Sequence, residues 1–259
     1  MDSIENKSII ITGASQGIGE STAKHLAASG ATVILVARNA AKLESVVGAI
    51  TSDGGKAYAV SGDVAEYATL ERAVGVAVDR TGRVDVLVNN AGIIDPVSRI
   101  ADSDPEAWSQ VVDVNLKGVY NGLRAVLPEM VAAKSGTIIN ISSGAATGAM
   151  EGWSHYCSTK AAVLSLTRCT HKEYAEHGIR SVGLSPGTVA TDMQGIIRDS
   201  GINPVSKLDW SAHIPPEWVA RAIAYLMGED AADLAGSDFS IKNNEGRRRV
   251  GLPLISEAV

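Results

Sequence analysis

The chain contains 259 residues, of which 45% are hydrophobic and 20% are charged, a composition typical of a globular protein with a substantial core. This composition excludes an intrinsically disordered or fibrous protein. The formal charge of −6 at pH 7 argues against a nucleic-acid partner, since nucleic-acid binders are usually basic. Because α/β folds often reach about 250 residues as one unit, we expect a single domain over residues 1–259.

The N-terminal residues lack a basic segment followed by a long apolar one, and no stretch of about 18 apolar residues occurs. We therefore expect a cytoplasmic protein that does not bind a membrane. The dense basic run, Arg247 to Arg249, is interpreted as solvated or as a subunit contact. No cluster of His, Cys, Asp and Glu has metal-ligand spacing, so we predict no metal site.

Short β-branched and apolar runs alternate with segments of helical periodicity along the chain. Several runs are apolar throughout, as expected for strands buried on both faces of a parallel sheet. The predicted strands are Ser8–Thr12, Thr32–Ala37, Ala57–Ser61, Val84–Val88, Thr137–Ile141, Ile179–Leu184 and Asp238–Ile241. The pattern predicts a doubly wound α/β fold of the Rossmann type, with a seven-stranded parallel sheet flanked by helices.

Helices are predicted between these strands where apolar residues recur every three to four positions. One longer helix is predicted from Pro105 toward Pro128, and another from Tyr156 to Glu176. Residues 191–216 break the alternation with several glycines and prolines, and we interpret them as a mobile substrate lid. Residues 243–259 form a C-terminal tail.

A glycine-rich loop, Thr12-Gly13-Ala-Ser-Gln-Gly17-Ile-Gly19, follows the first predicted strand and opens a helix. Glycine lets the backbone approach a pyrophosphate, and the helix N-terminus offers free N–H groups and a partial positive charge. The loop therefore predicts a dinucleotide site. Its spacing, G-xxx-G-x-G, differs from the commoner G-x-G-x-x-G.

With this loop the chain resembles the short-chain dehydrogenase/reductase family over about residues 5–242, because further motifs follow in the family's order. These are Asn89-Asn90-Ala91-Gly92, Asn115, Ser143, Tyr156-Cys-Ser-Thr-Lys160 and Pro186-Gly187. The resemblance weakens after the last strand, where the family usually has Asp-Gly-Gly and this chain has Lys242-Asn-Asn-Glu. The family's tetramers use that region as an interface, so the resemblance implies a homotetramer with an altered contact there.

The resemblance implies a nicotinamide cofactor held at the carboxyl ends of the strands. The implied cofactor-binding residues are Gly13, Ser15, Gln16, Gly17, Ile18, Gly19, Arg38, Asp63, Val64, Asn90, Ala91, Gly92, Tyr156, Lys160, Pro186, Gly187, Val189 and Thr191. The second strand ends in Ala37-Arg38 where NAD-binding members carry an acid, and an arginine there accommodates the 2′-phosphate of NADP. We therefore expect NADP(H), with NAD(H) as the alternative, since Gln16 stands where some NADP-binding members have a second basic residue.

Four residues are the candidate catalytic set. Tyr156 can donate a proton to a ketone oxygen, and Lys160 lies one helical turn further on, where its ammonium would lower the pKa of the phenol. In the family the lysine also holds the nicotinamide ribose. The resemblance further implies that Ser143 binds the substrate oxygen and that Asn115 holds a water in a proton relay.

The motifs predict an NADP(H)-dependent oxidoreductase that interconverts a ketone and a secondary alcohol. An NAD-dependent dehydrogenase, a non-catalytic cofactor sensor or scaffold, and a sugar-nucleotide epimerase are the alternatives, although the last usually needs a larger C-terminal domain. The candidate pocket residues Ala145, Met150, Trp153, His155, Met193 and Trp210 favour an apolar or aromatic ketone. For His155 a packing role is the main interpretation.

Overall fold

The structure, a computed structural model, describes residues 4–255. Seven parallel strands form one sheet in this part of the chain, in the order β3-β2-β1-β4-β5-β6-β7. The strands are β1 (Ser8–Thr12), β2 (Thr32–Ala37), β3 (Lys56–Ser61), β4 (Val86–Asn89), β5 (Gly136–Ile141), β6 (Ile179–Ser185) and β7 (Asp238–Ser240). The order reverses between β1 and β4, which is where doubly wound sheets bind nucleotides. The predicted fold class is confirmed.

The sheet is buried on both faces, and its central strands are mostly apolar. In β1, Ile9 and Ile11 belong to one core layer and Ile10 to the other, and all three are fully buried. This alternation follows from the two-residue period of a strand. The predicted bounds of β1 and β2 match the structure, whereas β4 begins at Val86 rather than Val84 and β7 ends at Ser240 rather than Ile241.

Helices cover both faces of the sheet. They are α1 (Gly17–Ala28), α2 (Ala40–Ser52), α3 (Tyr67–Thr81), α4 (Pro105–Val112), α5 (Gly118–Ala133), α6 (Ser154–Tyr174), α7 (Asp192–Ser200), α8 (Pro216–Leu226) and α9 (Asn244–Val250). The predicted helix from Pro105 is interrupted by a π-helical turn at Asp113–Lys117 and continues beyond Pro128 to Ala133. No helix among the described residues is both long and apolar enough to span a membrane.

The predicted lid contains α7 and two 3₁₀ turns, so much of it has regular structure. It packs on the loop before α6, where the buried Asn203 donates a hydrogen bond to the carbonyl oxygen of Glu151 at 3.0 Å. Its far end returns to the sheet edge through a parallel bridge between Val189 and Ile214. The lid is therefore held near its middle, at Asn203, and near its C-terminal end, at Ile214.

The C-terminal arginines contact their own chain. Arg247 lies over the Trp218 ring, 5.1 Å from its centroid, and Arg249 forms an ion pair with Asp233 at 2.6 Å. These contacts fix α9 against α8 and the turn before β7. Arg247 and Arg249 are half-buried by these contacts, whereas Arg248 is exposed. The last part of the predicted tail, residues 256–259, lies outside the described residues.

Candidate active site

A cleft of about 800 Å³ runs across the carboxyl ends of the parallel strands, at the point where the strand order reverses. Almost every site residue predicted from the sequence lines it. These are Gly13, Ser15, Gln16, Gly17, Ile18, Arg38, Asp63, Val64, Asn90, Ala91, Gly92, Ser143, Tyr156, Lys160, Pro186, Gly187, Val189 and Thr191. Gly19 and Asn115 were also predicted, but they lie behind the wall of the cleft.

The glycines of the first loop lie so close to neighbouring protein atoms that a side chain at these positions would clash. A Cβ on Gly13 would lie 2.8 Å from Cα of Ala91, and one on Gly19 would lie 2.7 Å from Nδ2 of Asn90. Gly17 has a φ of +58° and faces the Thr191 methyl group. The loop therefore packs directly on the end of β4, and a backbone cradle faces the cleft at the start of α1. This geometry suits a pyrophosphate.

Asn90 ties the first loop to β4. Its side-chain amide donates hydrogen bonds to the carbonyl oxygens of Thr12, at 2.8 Å, and Gly13, at 3.2 Å. The hydroxyl of Thr12 in return accepts from the backbone N–H groups of Asn90 and Ala91. These four hydrogen bonds hold the two strand ends at a fixed separation, so the floor of the cleft is preorganised.

Three polar groups surround the end of β2. Arg38 lies 3.9 Å from the Asp63 carboxylate, and its side chain is about half exposed, so the ion pair itself adds little stability. Lys42, in the first turn of α2, donates a hydrogen bond to Gln16 at 3.0 Å and lines the cleft. Lys42 was not among the residues predicted from the sequence. Its position four residues after Arg38, on the helix that follows β2, was the available signal.

Asn115 lies inside the π-helical turn between α4 and α5 and is fully buried. Its side chain accepts from the backbone N–H of Ile93 and donates to the carbonyl oxygen of Ile93, both at 2.8 Å. These bonds fix the segment after Gly92 against the helix. Turns of this kind occur frequently at functional sites. The side chain of Asn115 is thus engaged with the backbone and does not face the cleft.

Tyr156 is buried at the centre of the cleft, next to Ser143. Burial raises the pKa of Tyr156 to about 12, and a hydrogen bond with Ser143 opposes this rise. This upward shift is opposite to the lowering expected from Lys160, because desolvation of the phenolate is its largest cause. The Tyr156 side chain is therefore a neutral proton donor at pH 7.

Lys160 lies one turn along α6 with its ammonium 5.5 Å from the centroid of the Tyr156 ring. It donates a hydrogen bond to the carbonyl oxygen of Ile141 at 2.7 Å. Burial lowers the pKa of Lys160 to about 8, and the negative charge of Asp238 opposes this change. Lys160 is therefore charged at neutral pH and close to its titration range.

Asp238, on β7, was not singled out in the sequence. Its carboxylate accepts a hydrogen bond from Ser185 at 2.8 Å and packs against Gly183, where a Cβ would lie 2.6 Å from it. Burial raises the pKa of Asp238, whereas the hydrogen bond from Ser185 lowers it. This acid supplies the charge that partly offsets the burial of Lys160.

The other end of the cleft is mostly apolar. Of the candidate pocket residues, Ala145, Met150, Trp153 and Met193 line it. His155 instead packs beneath the wall with Nε2 at 2.6 Å from the carbonyl oxygen of Pro96, as its main interpretation predicted. Trp210 lies outside the cleft, half exposed against His213. Further lining residues missed by the sequence analysis are Ile94, Ile197, Val205 and Lys242.

Among residues 4–255, no group of three or more His, Cys, Asp or Glu side chains could hold a metal ion. The chemistry that the arrangement offers is instead proton transfer by a buried phenol, beside a lysine and a serine, next to a glycine-lined nucleotide cradle. Such a combination is the site of a nicotinamide-dependent oxidoreductase with a doubly wound fold.

Comparison with known proteins agrees with this class of site. The family model described as short chain dehydrogenase matches residues 7–200, and the chain belongs to the short-chain dehydrogenase/reductase family. A cyclohexanol dehydrogenase of an Acinetobacter species is 34% identical over 91% of this chain and 93% of its own length. A 3-oxoacyl-[acyl-carrier-protein] reductase of Staphylococcus epidermidis is 38% identical over 91% of this chain and 97% of its own.

Solved structures give the same result. The crystal structure of levodione reductase superposes with a TM-score of 0.85 at 27% identity, covering 95% of this chain and 98% of the other. The chain is therefore an oxidoreductase of this family, a family that uses a nicotinamide cofactor and small-molecule substrates.

Proposed function

We propose that the protein is an NADP(H)-dependent reductase that interconverts a ketone and a secondary alcohol. The observation that carries the proposal is the joint position of Ser143, Tyr156 and Lys160 in one cleft with the glycine-rich loop. When bound, NADPH supplies a hydride to the carbonyl carbon of the ketone. The relatives named cyclohexanol dehydrogenase and levodione reductase support a ketone or alcohol as substrate.

The protein's own residues supply the proton and hold the oxygen. Tyr156 donates its phenolic proton to the carbonyl oxygen as negative charge develops there, and Ser143 stabilises the same oxygen by a hydrogen bond. The neighbouring Lys160 ammonium stabilises the phenolate that remains, and it binds the nicotinamide ribose. The phenolate regains a proton from solvent, so that the reaction consumes one ketone, one NADPH and one proton.

Asn115 acts in this scheme through the backbone. Its side chain holds the segment at Ile93 beside the cleft, and the π-helical turn distorts the backbone hydrogen bonding around it. We propose that a water bound at Asn115 continues the proton relay from Lys160 to solvent. Ketone reduction at pH 7 is favoured by the high pKa of Tyr156, because a phenol with a pKa of about 12 is fully protonated.

The basic side chains at the end of β2 support NADP(H) over NAD(H). Arg38 and Lys42 both line the cleft at this end, and together they would neutralise a 2′-phosphate. The hydrogen bond between Lys42 and Gln16 places the second basic residue beside the glycine-rich loop. Asp63 and Val64, on the same side, would contact the adenine.

We further propose that the single-domain subunits form a homotetramer, as the resemblance to the family implies, and that the protein is cytoplasmic. Residues 191–216 would cover the substrate, which the apolar walls at Met150, Trp153 and Met193 favour as an apolar or aromatic ketone.

The test is loss of NADPH and NADH absorbance in parallel, against cyclic, aromatic, β-keto and sugar ketones. Turnover with NADPH that falls at least a hundredfold in Tyr156→Phe, with NADPH binding retained, supports the proposal. The absence of turnover with both cofactors across all ketones, despite tight NADPH binding, would indicate a sensor or scaffold instead. A clear preference for NADH would contradict the role given to Arg38.

A further inference from the structure

Lys242 lies at the mouth of the cleft, directly after the end of β7. Its aliphatic stem crosses the face of Gly187, where a Cβ would lie 2.8 Å from its Cγ. Its ammonium reaches Gly144, with Nζ 3.3 Å from the position that a Cβ on that residue would occupy. Two glycines therefore leave room for this side chain to lie across the ends of β5 and β6, and Lys242 lines the cleft there.

The ammonium of Lys242 is not used by the protein itself. Within residues 4–255, its ammonium forms no hydrogen bond and no ion pair. The cleft also contains the ammonium of Lys160, but that group is buried and bonded to the carbonyl oxygen of Ile141. Lys242 is thus a cation available to a ligand.

This cation lies on the same side of the cleft as Ser143, the residue proposed to bind the reacting oxygen. Gly144 directly follows Ser143, and consecutive Cα atoms are about 3.8 Å apart, so the ammonium lies within about 9 Å of the Ser143 Cα. The same cleft is also lined by apolar residues, among them Ala145, Met150 and Met193. A ligand that satisfies both features has an apolar body and one negative group close to its ketone.

We propose that Lys242 is a specificity-determining residue that binds a carboxylate of the substrate, so that the preferred substrates are oxo acids and their hydroxy-acid products. This inference rests on the proposed ketoreductase function. A charge-assisted hydrogen bond to a carboxylate is stronger than one between neutral groups. The neutral ester of the same acid lacks this interaction.

The test compares acids with their methyl esters in the full-length protein. Benzoylformate and levulinate carry the carboxylate at two distances from the ketone, and each is assayed with NADPH beside its methyl ester. The variants are Lys242→Met, which keeps the length of the side chain, and Lys242→Arg, which keeps the charge. Lys172→Met, at an exposed position at the end of α6, is the control for loss of a surface charge.

We expect the wild-type protein to prefer at least one acid over its ester. In Lys242→Met, kcat/KM for that acid should fall by about tenfold to a hundredfold through KM, the value expected for one hydrogen bond to a charged group. Turnover of the ester and KM for NADPH should not change, and Lys242→Arg should retain most of the preference. Benzoate, but not benzamide, should quench tryptophan fluorescence in the wild type and not in Lys242→Met.

Other outcomes would overturn the inference. Equal losses for acid and ester would indicate a structural role, and an increased KM for NADPH would indicate a cofactor contact. Turnover of neutral ketones or esters without any preference for an acid would show that Lys242 does not select a substrate carboxylate. The proposed ketoreductase function would be unaffected. Failure of every ketone with both cofactors would reject the proposed function itself, and the fluorescence titration would then show whether the carboxylate still binds.

Discussion

Lys160 lies with its ammonium 5.5 Å from the centroid of the Tyr156 ring, one turn away on the same helix, yet the pKa of each group is governed by burial. Desolvation disfavours the charged form of both, which raises the pKa of the tyrosine and lowers that of the lysine. The pair is thus held with the phenol neutral and the lysine near its titration range, a state suited to giving a proton to a ketone.

The pH dependence of ketone reduction should follow the titration of Lys160. We expect kcat/KM for ketone reduction to be constant below about pH 7 and to fall as the pH rises through about 8, since the ammonium is then lost in the free enzyme. Tyr156 stays protonated over this range because its pKa is about 12. Steady-state rates between pH 5 and 10 in buffers of constant ionic strength measure this profile.

Asp238→Asn should move that profile to lower pH. The negative charge of Asp238 raises the pKa of Lys160 against the effect of burial, so its removal should lower the pH of the break by up to about one unit. Ser185→Ala, which removes the hydrogen bond to Asp238 but keeps the carboxylate, is the matched control. An unchanged break in Asp238→Asn would show that the two groups do not interact.

Lys160→Met should stabilise the folded protein at pH 7 while removing activity. The pKa of Lys160 is lower in the folded state than its ordinary value of 10.5, so burial of the charged form costs free energy below about pH 8. At about 1.4 kcal/mol per pKa unit, the difference between 10.5 and about 8 corresponds to about 3.5 kcal/mol, and loss of the bond to Ile141 offsets about 1 kcal/mol, which leaves a net gain of about 2–3 kcal/mol.

Denaturant unfolding at pH 7 and pH 10 measures this difference. The gain should shrink as the pH rises from 8 toward 10.5, because the lysine of the folded wild-type protein is then neutral, and the free-energy cost of removing its proton falls as the pH approaches the unfolded pKa. Lys172→Met, an exposed lysine, should show no such gain. A variant that is less stable than the wild type at pH 7 would refute the argument.

Arg38 and Lys42 should determine the choice of cofactor. Arg38→Ala and Lys42→Ala should each weaken NADPH binding by about tenfold or more, since each removes one charged hydrogen bond to the 2′-phosphate. NADH, which lacks that phosphate, should bind as before. Fluorescence titration with each cofactor gives the two dissociation constants and their ratio. An equal loss of affinity for NADH would mean that these residues maintain the structure of the site and do not select the cofactor.

Gly13→Ala should destabilise the fold even without a cofactor. Gly13 has a φ of +65°, and a Cβ there would lie 2.8 Å from Cα of Ala91, so both backbone strain and overpacking oppose the substitution. We expect a loss of about 2–4 kcal/mol in the free energy of unfolding. Gly48→Ala is the control, because Gly48 lies in α2 with no atom within 4 Å of the added methyl group, and it should stabilise by about 0.5–1 kcal/mol.

The sequence by itself determined the sheet and the composition of the site. Apolar runs buried on both faces define strands by local pattern, which is why the predicted bounds of β1 and β2 match the structure. The residues predicted at the strand ends line one cleft because parallel strands bring their carboxyl ends to one edge of the sheet. Gly13, Ser143 and Tyr156, although distant in the chain, therefore meet there.

Only the tertiary structure decided the burial, orientation and contacts of these side chains. Whether Lys160 lowers the pKa of Tyr156 depends on how much water both groups lose, and helical spacing does not carry that information. The inward position of Asn115 follows from a π-helical turn, which has no sequence period of its own. The path of Lys242 across Gly187 to Gly144 joins three separate segments of the chain, and such a contact exists only once the sheet has assembled.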